Sequence, residues 1–156
     1  GERLSGYAES FIAGVPADVA KRELAGVQTA MGWDEPQLLI RGLSHDQGPG
    51  NALLLTLEHQ HVTEVFCAFG EKMVRAEEVA KKVISQVRQY IASGAAVGEH
   101  LADQIMLPFA LAGSGRFTTS YVSRHATTNA EVIRRFLPVA IVFENNGASS
   151  TCVIQK

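Results

Sequence analysis

The sequence predicts an α+β fold, in which a four-stranded sheet is covered on one face by two helices as a two-layer α/β sandwich. Strand and helix patterns follow one another in the order βαβββα over the first 93 residues. The composition then changes after Gly94, where a second and more apolar set of patterns begins. The length and these two observations are compatible with one domain or with two small ones.

Each element of the first part has a local signal. Strands show apolar runs that end at proline, glycine or asparagine, and helices show apolar residues at three- and four-residue steps. The predicted strands are residues 7–15, 37–43, 52–57 and 63–69, and the predicted helices begin at residue 17 and run over residues 76–93. Gly32 and Gly94 are placed to end the two helices.

The second part has its own order of elements. The predicted elements are a helix over residues 98–112, a strand over 116–122, a helix over 129–136 and a hairpin formed by 138–144 and 151–154. Pro108 lies inside the first of these helices and is expected to kink it. The dipeptide Asn146-Gly147 is a strong signal for the closing hairpin.

Composition and charge narrow the class of protein. The chain of 156 residues is 46% hydrophobic and 19% charged, which is typical of a globular protein. Its formal net charge of -2 argues against a general nucleic-acid binder but leaves room for a local basic site. Cys67 and Cys152 form no CxxC pair, so we expect a reducing, cytoplasmic location. No apolar run approaches about 20 residues, so we expect no membrane partner.

His125 is the first candidate for chemistry. Thr128 and Glu131 have the spacing of a capping box, which predicts that a helix begins just after this histidine. A helix N-terminus presents free N–H groups and partial positive charge, and both favour a phosphate. A histidine beside it is placed to bind or attack a phosphoryl group. On these residues alone, a surface loop histidine is the commoner alternative.

A metal site is a weaker hypothesis. His59 and His61 alternate along the chain, so on a strand they would share one face. No third ligand stands nearby, and a solvated hairpin tip is the favoured interpretation.

Six short motifs, in one order and with consistent gaps, resemble the C-terminal part of RNA 3'-terminal phosphate cyclases, including a domain inserted into them. The resemblance covers nearly the whole chain. The motifs are Ala13-Gly14-Val15-Pro16, Asp46-Gln47-Gly48-Pro49-Gly50-Asn51, Ala92-Ser93-Gly94-Ala95-Ala96-Val97, His100-Leu101-Ala102-Asp103-Gln104, Gly115-Arg116-Phe117-Thr118-Thr119, and His125 with Thr128-Asn129.

The resemblance implies an architecture. Residues 1–93 would be the inserted small domain, and residues 94–156 the last portion of a large domain built like that of enolpyruvate transferases. That last portion would lack a complete sheet of its own. The chain begins with Gly1 and lacks a glycine-rich segment that the family carries, so we expect a fragment that is inactive alone. Its partners would be the N-terminal half of the same protein and RNA 3'-phosphate ends.

The resemblance also implies a reaction. A histidine takes AMP from ATP, passes it to an RNA 3'-phosphate, and the neighbouring 2'-hydroxyl then closes a 2',3'-cyclic phosphate and releases AMP. His125 matches the family's adenylated nucleophile. The segment that contacts ATP is matched by His100, Leu101, Ala102, Asp103 and Gln104. The expected cofactors are ATP and a divalent metal, Mg or Mn, whose ligands would lie outside this chain.

Two alternatives stay open. One is a non-catalytic, cyclase-like ribosome-assembly protein, which would lack the nucleophilic histidine. The other is an enolpyruvate-type transferase, which shares the architecture but not these motifs.

Overall fold

The computed structural model describes the backbone of residues 1–156 and every side chain except that of His45. The chain is mixed α+β, as predicted, and its described residues form two sheets and four α-helices. Residue contacts divide it into two compact units, residues 1–88 and 89–156. The division falls inside a helix, so the predicted boundary at residues 93 and 94 stays a prediction.

The first unit has the predicted order βαβββα. Its elements are β1 (Arg3–Ala13), α1 (Ala17–Met31), β2 (Leu38–Gly42), β3 (Gly50–His59), β4 (Thr63–Phe69) and α2 (Ala76–Ser93), which continues into the second unit. The strands lie in the order β2-β1-β3-β4, with β1 and β2 parallel and the other pairs antiparallel. β1 begins earlier than predicted because the long β3 offers it partners as far as His59, which pairs with Arg3.

The core of this unit lies on one face of the sheet. Leu53, Leu55 and Leu57 alternate along the central strand β3 and are fully buried. Val27 of α1 and Val83 of α2 are also fully buried. Burial of side chains of this size is worth roughly 1.5–3 kcal/mol each. This face therefore supplies much of the free energy that holds the unit together.

One charged side chain belongs to the same core. Glu23 of α1 is completely buried and accepts hydrogen bonds from the Ser10 hydroxyl, at 2.7 Å, and from the Asn51 side-chain amide. Gly70 makes room for this amide, since a Cβ there would lie 1.8 Å from Oδ1 of Asn51. The network ties α1 to β1 and to the first residues of β3. Nothing in the local sequence pattern around Glu23 predicted it.

The second unit contains the other helices and strands. They are α3 (Glu99–Ala112), β5 (Ser114–Thr119), α4 (Arg124–Phe136), β6 (Ala140–Asn145) and β7 (Ser150–Gln155). The strands form an antiparallel sheet in the order β5-β7-β6. The prediction that this part completes its sheet only with further segments stays a prediction.

Local contacts confirm the closing hairpin between β6 and β7. Gly147 has a φ of 88°, in the left-handed region that favours glycine, and its N–H donates to Oδ1 of Asn145 at 2.8 Å. Another glycine is required by packing, because a Cβ at Gly115 would lie 2.5 Å from Cγ of Phe109 on α3. That close approach brings Phe109 to 5.8 Å from the ring of Phe117.

Among the described helices, none combines the length and the apolar character that crossing a membrane requires.

The buried carboxyl predicts a pH dependence. Burial raises the pKa of Glu23 in the folded protein above its ordinary value of 4.5, although its two hydrogen bonds oppose the rise. The folded state then holds this proton more tightly than the unfolded chain, so the free energy of unfolding falls as pH rises above about 4.5. We expect Glu23→Gln to remove this part of the fall, as measured by urea unfolding at a series of pH values.

Glu35→Gln, an exposed substitution in the same unit, is the control and should leave the pH dependence of the parent unchanged. Parallel curves for the parent and Glu23→Gln would contradict the prediction.

Candidate functional site

Two helices begin side by side in the second unit. The N–H of Val97 donates to the carbonyl of Thr118 at 3.1 Å, and the N–H of Ser120 donates back to the carbonyl of Val97 at 3.0 Å. Gly98, which follows Val97, is the N-cap of α3, and Ser123 is the N-cap of α4. These backbone bonds therefore hold the first turns of α3 and α4 next to each other, beyond the end of β5.

A buried threonine supports this arrangement. Thr119 is fully buried, and its hydroxyl lies 3.0 Å from the carbonyl oxygen of Tyr121 and 3.5 Å from that of Gly98. The single hydroxyl proton can serve either carbonyl, and the shorter contact is the better hydrogen bond. Thr119 thus contacts both chain segments that lead into the two helices.

The start of α4 differs from the sequence prediction. The N–H of Ala126 donates to the Ser123 hydroxyl at 3.1 Å, and the helix begins at Arg124. The predicted capping box of Thr128 and Glu131 is therefore wrong. The earlier start extends the buried side of α4 by one turn, because Ala126 precedes Ala130 by four residues and both are buried.

His125 consequently lies within the first turn of α4 rather than ahead of the helix. Its side chain is exposed. The first turn is where the unpaired backbone N–H groups and the positive end of the helix dipole lie. An incoming phosphate would meet the imidazole and these N–H groups together.

Asp103 and Asn129 link the two helices one turn further along. Nδ2 of Asn129 donates to Oδ1 of Asp103 at 2.8 Å and to the backbone carbonyl of Asp103 at 3.0 Å. Asn129 follows His125 by four residues, and residues four apart lie on the same side of a helix. His125 therefore lies on the side of α4 that faces α3.

The other predicted residues of α3 divide into two groups. His100 and Gln104 are exposed, and His100, by its spacing of three and four residues, is a neighbour of both Asp103 and Gln104 on the helix surface. Ala102 is 1% exposed, so its side chain serves the core, and Leu101 is half-buried. The polar contacts that this segment can offer a ligand therefore come from His100, Asp103 and Gln104.

The charge around the site is mixed. Glu99 lies in the first turn of α3, and its Oε1 is 3.6 Å from Nε2 of His100. Arg124 is the exposed first residue of α4. Within the described part of the chain, no group of three or more His, Cys, Asp or Glu side chains could hold a metal ion. The residues present thus provide no complete metal site, and the predicted external ligands stay a prediction.

Sequence reasoning missed three parts of this arrangement. Ser123 was overlooked as a cap because Thr128 and Glu131 carry the stronger local signal. Thr119 and Asn129 stood inside motifs but were given no role. For Asn129, the available signal was its position four residues after His125. No local pattern marks the contacts of Thr119.

An exposed histidine in the first turn of one helix, beside the N-terminus of another, is an arrangement suited to binding phosphate groups. The chain belongs to the RNA 3'-terminal phosphate cyclase family, since the family model described as the insert domain of RNA 3'-terminal phosphate cyclase (RTC) matches residues 2–92. This finding confirms the resemblance seen in the sequence.

Individual relatives of the chain carry the name of the same family. A protein named RNA 3'-terminal phosphate cyclase from Pseudomonas aeruginosa (strain UCBPP-PA14) is 48% identical over 141 residues, which is 90% of this chain and 41% of the relative. A protein of the same name from Ectopseudomonas mendocina (strain ymp) is 49% identical over 138 residues, 88% of this chain and 40% of that relative. The chain thus spans about two fifths of the length of these curated relatives.

The observed cap of α4 gives a prediction. Replacing Ser123 with Ala leaves an N–H of the first turn without its partner and should lower the free energy of unfolding by about 1 kcal/mol. Thr128→Ala, inside the helix, should change it by no more than a few tenths of a kcal/mol, because alanine favours a helix interior. Urea unfolding of the two variants checks both values. A larger loss for Thr128→Ala than for Ser123→Ala would restore the helix start predicted from the sequence.

Proposed function

We propose that this chain supplies part of the active site of an RNA 3'-terminal phosphate cyclase, an ATP-dependent enzyme of the ligase class that converts an RNA 3'-terminal phosphate into a 2',3'-cyclic phosphate. The observation that carries the proposal is the exposed His125 in the first turn of α4, beside the first turn of α3. The names of the relatives support the same reaction.

The chemistry begins at His125. A ring nitrogen of His125 attacks the α-phosphorus of ATP, the bond to the β-phosphate oxygen breaks, and pyrophosphate leaves. An oxygen of the RNA 3'-phosphate next attacks the same phosphorus, and the phosphorus–nitrogen bond breaks. The RNA 2'-hydroxyl finally attacks the 3'-phosphorus, loses its proton and expels AMP.

The N-termini of α3 and α4 would stabilise the negative charge that develops on the transferring phosphoryl group. Charge accumulates on the nonbridging phosphoryl oxygens as nucleophile and leaving group exchange, and fixed N–H dipoles stabilise it without having to reorganise. A carboxylate, by contrast, accepts hydrogen bonds and repels phosphate. We therefore assign Asp103 to hydrogen-bond donors of the nucleoside, together with His100 and Gln104, while the phosphate lies at His125.

The remaining parts of the site come from elsewhere in the protein. Residues 94–156 would be the last portion of a large domain of the enolpyruvate-transferase type, and residues 1–93 would be its insertion. A divalent cation, Mg or Mn, would neutralise the departing pyrophosphate, with ligands outside this chain. The chain by itself is then inactive, and activity requires the segment that corresponds to the rest of the relatives.

A chimera tests the proposal. The matched segment of the Pseudomonas aeruginosa relative is replaced by this chain, and the product is incubated with divalent cation and ATP carrying a labelled α-phosphate. We expect a covalent label that is labile in acid and stable in base, as a phosphoramidate requires, and formation of cyclic ends on an RNA 3'-phosphate. His125→Asn should abolish both, because the amide cannot act as the nucleophile.

The matched control is His61→Asn, which changes an exposed histidine in the turn between β3 and β4 of the other unit and should label like the parent. The isolated chain should take no label. A folded chimera that stays unlabelled, or a label that survives His125→Asn, would refute the assignment of His125. The first outcome would favour the non-catalytic branch.

A further inference from the structure

Asn129 is the one side chain described here whose amide nitrogen bonds both the backbone and the side chain of a proposed ATP-contacting residue. We propose that Asn129 is a positioning residue: it holds the carboxylate of Asp103 between α3 and α4, about one turn beyond their N-termini, and acts on ATP only through Asp103. This inference rests on the proposed function and deepens it.

The geometry is that of a clamp. The two bonds from Nδ2 of Asn129, at 2.8 Å to Oδ1 and 3.0 Å to the backbone carbonyl of Asp103, close a small ring through the Asp103 side chain. A ring of this kind fixes the χ1 rotation of the aspartate. Both residues are partly buried, so water competes less for these bonds than it would on an open surface.

The clamp leaves part of the carboxylate for a ligand. A carboxylate has about four acceptor positions, and Asn129 uses one of the two oxygens. Among the described residues, Oδ2 of Asp103 receives no side-chain hydrogen bond. The free oxygen thus keeps its capacity to accept from donor groups of a nucleoside, and its direction is set by the bond that the other oxygen makes.

The position of Asn129 on α4 suits this role. It follows His125 by four positions, so it lies about one turn further along on the same side of the helix. The nucleophile and the clamped acceptor are therefore fixed to a single rigid helix, although Asp103 belongs to α3. Any ligand that contacts Asp103 is thereby aligned with the ring of His125.

The alternative is that Asn129 only stabilises the packing of α3 against α4. A reciprocal exchange separates the two roles. Asp103→Asn combined with Asn129→Asp restores an amide–carboxylate hydrogen bond between α3 and α4, but moves the negative charge from one helix to the other. If Asn129 only holds the helices together, this double variant should regain both stability and adenylation. If Asn129 positions the Asp103 carboxylate, adenylation should stay low because that carboxylate is gone.

The experiment measures self-adenylation of the chimera as a function of ATP concentration, and urea unfolding of the full 156-residue chain. We expect Asn129→Ala to lower the second-order rate constant of adenylation about 10- to 100-fold, mainly through weaker apparent affinity for ATP, which is the loss seen when the hydrogen-bonding partner of a metal ligand is removed. Asp103→Ala should do the same, and the variant lacking both side chains should be no worse than Asp103→Ala. The double variant Asp103→Asn with Asn129→Asp, the exchanged pair, should have the same free energy of unfolding as the parent but should still adenylate poorly.

Glu131→Ala is the matched control, because it truncates an exposed side chain of α4 that lies on a different side of the helix. The inference is overturned if Asn129→Ala adenylates like the parent, if the losses from Asn129→Ala and Asp103→Ala multiply, or if the exchanged pair recovers activity. A parent chimera that takes no label refutes the proposed function itself, and this inference with it. Labelling of the parent with any of the other adverse outcomes refutes the clamp alone.

Discussion

The candidate site depends on the backbone pairing of Val97 with the end of β5. Two hydrogen bonds and the buried hydroxyl of Thr119 join the segment that leads into α3 to the segment that leads into α4. Without that pairing, the two helix N-termini would be separate surface features, each weakly attractive to an anion. Held together, they give fixed dipoles on two sides of one space, which is the kind of preorganised environment that stabilises a transferring phosphoryl group.

The polar residues of this space have different tasks because their chemistry differs. In the proposed reaction, His125 is the nucleophile, and its place in the first turn of α4 is where a phosphate would be attracted. Asp103 offers an acceptor that would repel the same phosphate, and its bond to Asn129 keeps it directed and one turn away from the start of α4. A nucleotide has an anionic end and an end that carries hydrogen-bond donors, so under the proposed function the separated donors and acceptors of this site would favour one orientation of it.

The first unit shows that a correctly predicted order of elements does not reveal which polar side chains lie in the interior. Apolar periodicity and turn residues were enough to predict βαβββα, and α2 and β4 were predicted with their observed ends. The same signals could not reveal Glu23, because an acidic residue in an amphipathic helix is normally at the surface. Its burial depends on Ser10 and Asn51, which reach it from strands 13 and 28 residues away in the chain. Partners so distant leave no trace in a local pattern.

The sequence by itself determined the α+β class, most helices and strands, the family, and the choice of His125 and of residues 100–104 as candidates, since these rest on local periodicity and on ordered motifs. Only the tertiary structure decided the strand orders, the start of α4 at Arg124, and the pairing of Asp103 with Asn129. A helix start is chosen by competition among several possible caps, and the hydrogen bond from the N–H of Ala126 to the Ser123 hydroxyl marks the cap that is used. Contacts between α3 and α4 require the intervening β5 to return the chain, and no local pattern encodes that.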